Sequence, residues 1–195
     1  EEHSLEIDSE IAWLLGYFMG DGNLGKRKSK GKDHEYTYLR LRFHDETIET
    51  LEEVKRILET KFDAKINTSK DTRGSKGYTL QTLNRKACNF FKQVFGVGSK
   101  TYTLKMPQCV YQLGIQNITA FLAGLLDSDG YVTKDGKAVY SSASRDFASE
   151  VAVLSSLIGC GGGIVVDKHT NNATIIRKSS NNKIVKMIAS KIINN

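Results

Sequence analysis

The sequence predicts a duplicated α+β protein. It consists of two αββαββα units related by a pseudo-twofold axis, with their strands in a concave saddle and one helix from each packed at the central interface. Three observations predict this. Leu14-Leu15-Gly16-Tyr17-Phe18-Met19-Gly20-Asp21-Gly22 and Leu122-Ala123-Gly124-Leu125-Leu126-Asp127-Ser128-Asp129-Gly130 are one pattern written twice, and Asp21 lies 108 residues before Asp129. Alternating and amphipathic stretches follow each copy in the same order, which is the mark of an internal repeat. At 39% apolar residues, a chain of 195 can bury a core of that size.

Residues 1–9 are polar and acidic, and Asp8 or Ser9 can cap a helix running from 9 to 21. Ala12, Gly16 and Gly20 fall one turn apart on it, as do Ala120, Gly124 and Ser128 on a helix over 117–129. Two such stripes let helices approach closely, and packed in parallel they bring Asp21 and Asp129 out at one end. A helix C-terminus is negative, so an aspartate there costs about 0.3–1 kcal/mol, and two acids together repel. A chain that places an acid there twice has a cation to hold, and a hard oxygen set suits Mg²⁺. Gly22 and Gly130 are helix stops. Asp127, two residues before Asp129, points elsewhere on the helix and is read as a hydrogen-bond or interface residue.

The run Lys26-Arg27-Lys28-Ser29-Lys30-Gly31-Lys32 is basic. Beyond it Tyr36, Tyr38, Arg40, Arg42 and His44 alternate with Thr37, Leu39, Leu41 and Phe43, which predicts a half-buried strand. The outer face of that strand is aromatic and cationic, as contact with phosphates and bases requires. A helix over 45–62 buries Ile48, Leu51, Val54, Ile57 and Leu58. A hairpin over 64–70 and 77–83 carries Lys65 and Asn67, with Arg73 in its turn. A helix over 84–95 places Phe90, Phe91, Val94 and Phe95 in the core. The first half thus spans 1–97 and a linker spans 98–117, with Pro107, the only proline, inside it.

In the second half, 118–195, the motif helix leads to strands at 131–134 and 137–143 and a helix at 145–158. A hairpin at 163–169 and 173–178 follows, then a last helix at 182–193. Its polar candidates are Lys134, Lys137, Lys168, Arg177 and Lys178, alongside Ser141, Ser142 and Ser144. They are sparser than in the first half, so the halves are expected to read different sequences.

Net charge is +6 and the pI near 9.1, which favours a polyanionic partner. Cys88, Cys109 and Cys160 form no CxxC pair, as in a reducing compartment, and the four histidines show no metal-ligand spacing. No stretch has the length of a membrane span and no signal-peptide pattern opens the chain. A soluble intracellular protein is expected, with the compartment left open.

The paired motifs resemble those of the LAGLIDADG homing endonucleases. The second copy matches closely. The first keeps Gly16, Asp21 and Gly22, with Met19 where the family name has its first Asp. Leu122 to Thr133 looks especially like the second motif of intein endonucleases, yet Glu1 is no splicing Cys or Ser and no His-Asn pair closes the chain. Both a free-standing enzyme and an excised intein domain stay open.

The resemblance implies a monomeric, site-specific enzyme that needs no protein partner and cuts both strands of a long asymmetric double-stranded DNA. Asp21 and Asp129 are then metal ligands, helped by the carbonyls of Gly20 and Ser128. Mg²⁺ is the cofactor, Mn²⁺ substitutes, and Ca²⁺ binds without supporting cleavage. Lys105-Met106-Pro107 resembles the element that carries a catalytic lysine, so Lys105 takes that role, with Lys191 as its weaker counterpart. Lys26, Lys28, Lys30, Tyr36, Tyr38, Arg40, Arg42, His44, Lys65, Asn67, Arg73, Lys134, Lys137, Ser141, Lys168 and Arg177 form the DNA surface. The alternative is a non-cleaving binder on the same fold, an RNA maturase or DNA-binding regulator. Retention of both acids favours the enzyme.

Overall fold

Helix α1 (Ser9–Asp21) starts where the Asp8 carboxylate accepts the Ile11 N–H at 3.0 Å, which satisfies one of the free donors of the first turn. It is buried without interruption from Ile11 to Met19, the pattern of a helix with neighbours on every side rather than a surface helix. The computed structural model describes residues 6–28, 35–44, 48–70, 77–96, 104–134, 138–160, 163–166 and 173–176. Two compact units divide the chain: residues 21–99 form one, and residues 1–20 with 100–195 form the other. α1 thus reaches its last turn within the unit built mainly from the second half.

The unit of residues 21–99 contains β1 (Gly22–Lys28), β2 (Glu35–His44), α2 (Ile48–Phe62), β3 (Asn67–Lys70), β4 (Gly77–Thr82) and α3 (Arg85–Phe95). Its antiparallel sheet has the order β1-β2-β4-β3. Leu24, Leu39, Leu41, Phe43 and Leu80 line the buried face of that sheet, and Leu51, Val54, Leu58 and Phe91 are buried on the helices. Phe62, Phe90 and Phe91 form one ring cluster, with centroids 5.5 Å apart for the first two and 5.6 Å for the last two. Asn84 caps α3 by accepting the Ala87 N–H, and Thr82, polar yet fully buried, donates its hydroxyl to the Lys65 carbonyl at 2.8 Å.

The expected alternation of β2 is present, with Leu39, Leu41 and Phe43 buried and Arg42 and His44 exposed. Ile48, expected on the buried stripe of α2, is instead exposed at its first residue. β1 was expected only as a basic run, because Gly, Asn and Lys carry no strand signal. It is a strand because all seven of its residues pair with β2.

In the other unit a short 3-10 turn (Gln108–Gln112) precedes α4 (Ile115–Asp129), which starts two residues before its expected position. Then come β5 (Gly130–Val132), β6 (Ala138–Ser142), α5 (Arg145–Leu157), β7 (Gly163–Val166) and β8 (Ala173–Ile176), in the sheet order β5-β6-β8-β7. The two sheets share one topology, as a duplicated chain requires. The last helix expected at 182–193 lies outside the described residues. No described helix is long and apolar enough to cross a membrane.

Helices α1 and α4 run parallel in the register that the motifs predict. At their N-terminal ends Ser9 Oγ donates to Asn117 Oδ1 at 2.9 Å, and Asn117 Nδ2 donates to the Ile7 carbonyl at 2.8 Å. Lower down, the two glycines leave room for backbone against backbone. A β-carbon at Gly16 would meet the Phe121 carbonyl, and one at Gly124 would meet that of Trp13. Gly22 and Gly130 do end the helices, but not as left-handed caps. Neither has positive φ, because each is already the first residue of an extended strand.

Candidate metal and nucleic-acid site

The C-terminal end of the α1–α4 pair is where a cation was expected. Asp129 is the last residue of α4, and Asp21, one peptide bond after Gly20, is the last of α1. Gly20 fits against Ser128 and Asp129: a β-carbon added there would stand 2.8 Å from Ser128 Cβ and 2.9 Å from Asp129 Cγ. The third small residue of the first stripe, Gly20, therefore leaves space beside the Asp129 carboxylate.

That carboxylate has an exposed edge, yet loss of solvent around it pushes its pKa above the ordinary aspartate value. Burial, with the Asp129 charge second, also pushes the Tyr140 phenol up, so Tyr140 stays neutral beside the acid. Ser128 Oγ donates back to the Leu125 carbonyl at 3.0 Å, and the Ser128 carbonyl is the oxygen expected to help hold a metal. Among the described residues no three His, Cys, Asp or Glu side chains converge. A resident divalent ion would thus have few protein ligands and take most of its shell from carbonyls, water and substrate oxygen. The donor set, hard oxygen only, fits Mg²⁺, Mn²⁺ or Ca²⁺ and no soft metal.

Asp127 has the role expected of it. Its Oδ2 accepts Trp13 Nε1–H at 2.8 Å across the helix pair, while desolvation raises its pKa and this bond partly offsets the rise.

Lys105 is exposed, but the backbone on both sides of it is held. The Leu104 carbonyl accepts Ser144 Oγ–H at 3.0 Å, and the Met106 N–H donates to Glu150 Oε2 at 2.9 Å. The other oxygen of Glu150 accepts the Tyr111 hydroxyl at 2.9 Å. The Glu150 clamp has no trace in the sequence, because nothing local links residue 150 to residue 106.

The first sheet sorts the expected DNA-facing residues by register. Tyr36, Tyr38 and Arg40 on β2 lie opposite Arg27, Gly25 and Asn23 on β1, so Arg27 shares their face. Lys26 and Lys28 pair with Thr37 and Glu35 and have the opposite parity. Lys26 also forms an ion pair with Glu35 at 3.0 Å. Arg27 escaped notice because three consecutive cations give no hydropathy phase, and only the partner strand fixes it.

On the outer face of β4 and β3, Arg40 pairs with Gln81, and Gln81 with Asn67. Arg42, His44 and Lys65 are exposed. In the second sheet Ser141 is exposed, and Lys134 is exposed beyond β5, whereas Ser142 and Ser144, expected beside Ser141, are buried; Lys178 falls outside the described residues. Lys30, Arg73, Lys137, Lys168, Arg177 and Lys191 fall outside the described residues.

Two family models match the chain. One is a PI-PfuI endonuclease subdomain over residues 6–90, and the other a LAGLIDADG-like domain over residues 116–192. Solved structures share the fold. I-DmoI in complex with DNA and Mn has a TM-score of 0.72 at 19% identity, over 95% of this chain and 98% of that one. I-WcaI bound to its DNA recognition sequence has a TM-score of 0.58 at 16% identity, over 98% and 82%. A glutamine–fructose-6-phosphate aminotransferase (isomerizing) of Methanocaldococcus jannaschii is 26% identical over 148 residues. That is 74% of this chain but only 12% of the aminotransferase, so the chain corresponds to a small part of that relative. With both motif copies, the repeated topology and the two family matches in agreement, the chain belongs to the LAGLIDADG homing endonuclease family, in its single-chain, two-motif form.

Proposed function

We propose that the protein is a divalent-metal-dependent, site-specific endonuclease that cuts both strands of an asymmetric double-stranded DNA. The observation that carries this reading is the fit of Gly20 against Ser128 and Asp129 at the end of two parallel helices. Asp21 holds the place in the first motif that Asp129 holds in the second, and we read the two as a pair. Two carboxylates at negative helix ends are unfavourable unless a cation is shared between them.

A divalent ion held there would supply a water of lowered pKa and positive charge against the phosphate and the leaving 3′ oxygen. Asp21 and Asp129 would hold it, with the carbonyls of Gly20 and Ser128 able to complete its protein ligands, and each acid would serve one strand. Lys105, on a segment fixed by Ser144 and Glu150, would place a positive charge near the scissile phosphate and polarise the attacking water. Burial of Tyr140 beside Asp129 keeps bulk solvent from one side of that acid. Mg²⁺ and Mn²⁺ support cleavage in this reading, and Ca²⁺ supports binding alone. I-DmoI complexes with DNA include one with Mn and one with Ca, in keeping with this metal set.

The two halves, 1–97 and 118–195 joined through 98–117, each contribute one acid and one sheet, so a monomer suffices. Arg27, Arg42 and the cations of the second half would hold phosphates.

Incubating the protein with a randomised duplex pool and capturing cut ends tests the proposal. One recurring sequence should be cut with Mg²⁺ or Mn²⁺ and spared with Ca²⁺ or EDTA. A pool left uncut under all these metals, or cut at random, refutes it.

A further inference from the structure

The outer face of the first sheet carries a row of four polar residues in direct cross-strand register: Asn23 on β1, Arg40 on β2, Gln81 on β4 and Asn67 on β3. Its two central members are bonded to each other. Arg40 donates from Nε and from Nη2 to the single acceptor Gln81 Oε1, at 3.3 and 3.0 Å. The guanidinium also lies over the Tyr38 ring, 4.9 Å from its centroid. Tyr38 in turn lies across Gly25, where an added β-carbon would stand 3.0 Å from Tyr38 Cε1. Three strands therefore combine to hold one arginine.

A guanidinium has five N–H donors in a rigid fork. Gln81 uses the Nε–H and one Nη2–H, which are the parallel pair on the side of the group. The end-on pair, one hydrogen each from Nη1 and Nη2, stays available. That pair matches the O6 and N7 acceptors of guanine in the major groove. A neutral amide does the holding, so the positive charge is kept. The row contains no acid, and its flanking members are the amides that pair with adenine. Adjacent strands lie about 4.8 Å apart, so β2 and β4 form a ribbon narrow enough for a groove about 12 Å wide. A phosphate-gripping arginine needs reach and tolerance, whereas this one has a fixed direction.

We infer that Arg40, oriented by Gln81 and Tyr38, reads a guanine and is a specificity-determining residue rather than a phosphate contact. The inference rests on the proposed DNA reading and names which residue discriminates. Arg40→Lys keeps the charge and loses the fork, and Gln81→Met keeps the charge and removes the buttress.

The test is a binding selection on the full chain from a randomised duplex pool in EDTA, which needs no cleavage, together with affinity measured against salt. The wild type should enrich a G·C pair at one position, favoured by roughly ten- to hundredfold over other pairs. In Arg40→Lys that preference should fall to a few-fold with the salt slope unchanged, and Gln81→Met should weaken it at the same position only. An unchanged preference in Arg40→Lys overturns the inference, as does an Arg40→Ala salt slope lower by about one with the wild-type consensus intact, the pattern of a phosphate contact. A wild type that enriches no sequence overturns the DNA reading itself and this inference with it.

Discussion

The contact between α1 and α4 makes Gly16→Ala a sharp test, because two effects of opposite sign compete there. Alanine is the better helix former by about 1 kcal/mol, so in a free helix the substitution stabilises. At this crossing the new methyl stands 2.9 Å from the Leu125 nitrogen and 2.9 Å from the Phe121 carbonyl carbon, and closer still to the Phe121 oxygen. Ordinary carbon contacts lie at about 3.5–4.0 Å, so the helices must separate by on the order of 1 Å. These neighbours are backbone atoms and cannot rotate away. Overpacking of this kind costs about 1–3 kcal/mol.

Separation also loosens the reciprocal contact of Gly124 with Trp13 and the packing of Tyr17 and Phe121, all buried. Each methylene's worth of apolar surface returned to water adds about 0.8 kcal/mol. The net expectation is a loss of about 1–3 kcal/mol. For a chain of this length that lowers Tm by roughly 2–12 °C, read by calorimetry without DNA or metal. Propensity alone would raise Tm by about 2–4 °C. An unchanged or raised Tm would therefore show that the helices do not meet at Gly16.

Gly20→Ala should behave differently, because its neighbours are the side chains of Ser128 and Asp129: Tm falls by less than for Gly16→Ala, while cleavage rate drops at least tenfold. Trp13→Phe removes the donor to Asp127 and leaves that carboxylate without this partner, so it should destabilise the fold. Asp127→Asn keeps an acceptor for Trp13 and should cost less, so equal losses in the two variants, measured by denaturant unfolding, would deny that bond a role. Asp129→Asn relieves a charge at a negative helix end and should raise Tm by about 1–4 °C at neutral pH.

The pH dependence of that gain follows from the raised pKa of Asp129. An acid whose folded pKa is raised adds stability below its unfolded value, and the contribution is lost as pH rises through the folded value. The Tm gap between Asp129→Asn and wild type should therefore close as pH falls toward 3.8, the ordinary aspartate value. A gap constant from pH 4 to 7 would contradict this.

Much of the fold could be read in advance, because the motif repeats and because β2 alternates cleanly between Leu39, Leu41, Phe43 and the polar residues between them. The acids were legible for a related reason: an aspartate at a helix C-terminus is locally unfavourable, and local cost is visible in sequence. Relations between distant segments were hidden. β1 has no strand signal of its own, and Arg27 takes its face only from pairing with Tyr36. The Gln81 hold on Arg40 joins residues 41 apart, and the Glu150 hold on Met106 joins residues 44 apart. Spacing within one helix or strand carries no trace of either. Even Asp127, read as a hydrogen-bond or interface residue, found a partner in Trp13 that no pattern indicated.

The central claim is that one aspartate from each motif makes the cleavage site. Its most direct test is single-turnover cleavage of the selected duplex, each strand labelled separately, by wild type, Asp21→Asn and Asp129→Asn in Mg²⁺. Both variants should bind the duplex as wild type does yet lose double-strand cutting by at least a thousandfold, on the order of 4 kcal/mol of transition-state stabilisation. Wild-type rates on both strands in either variant would contradict the account.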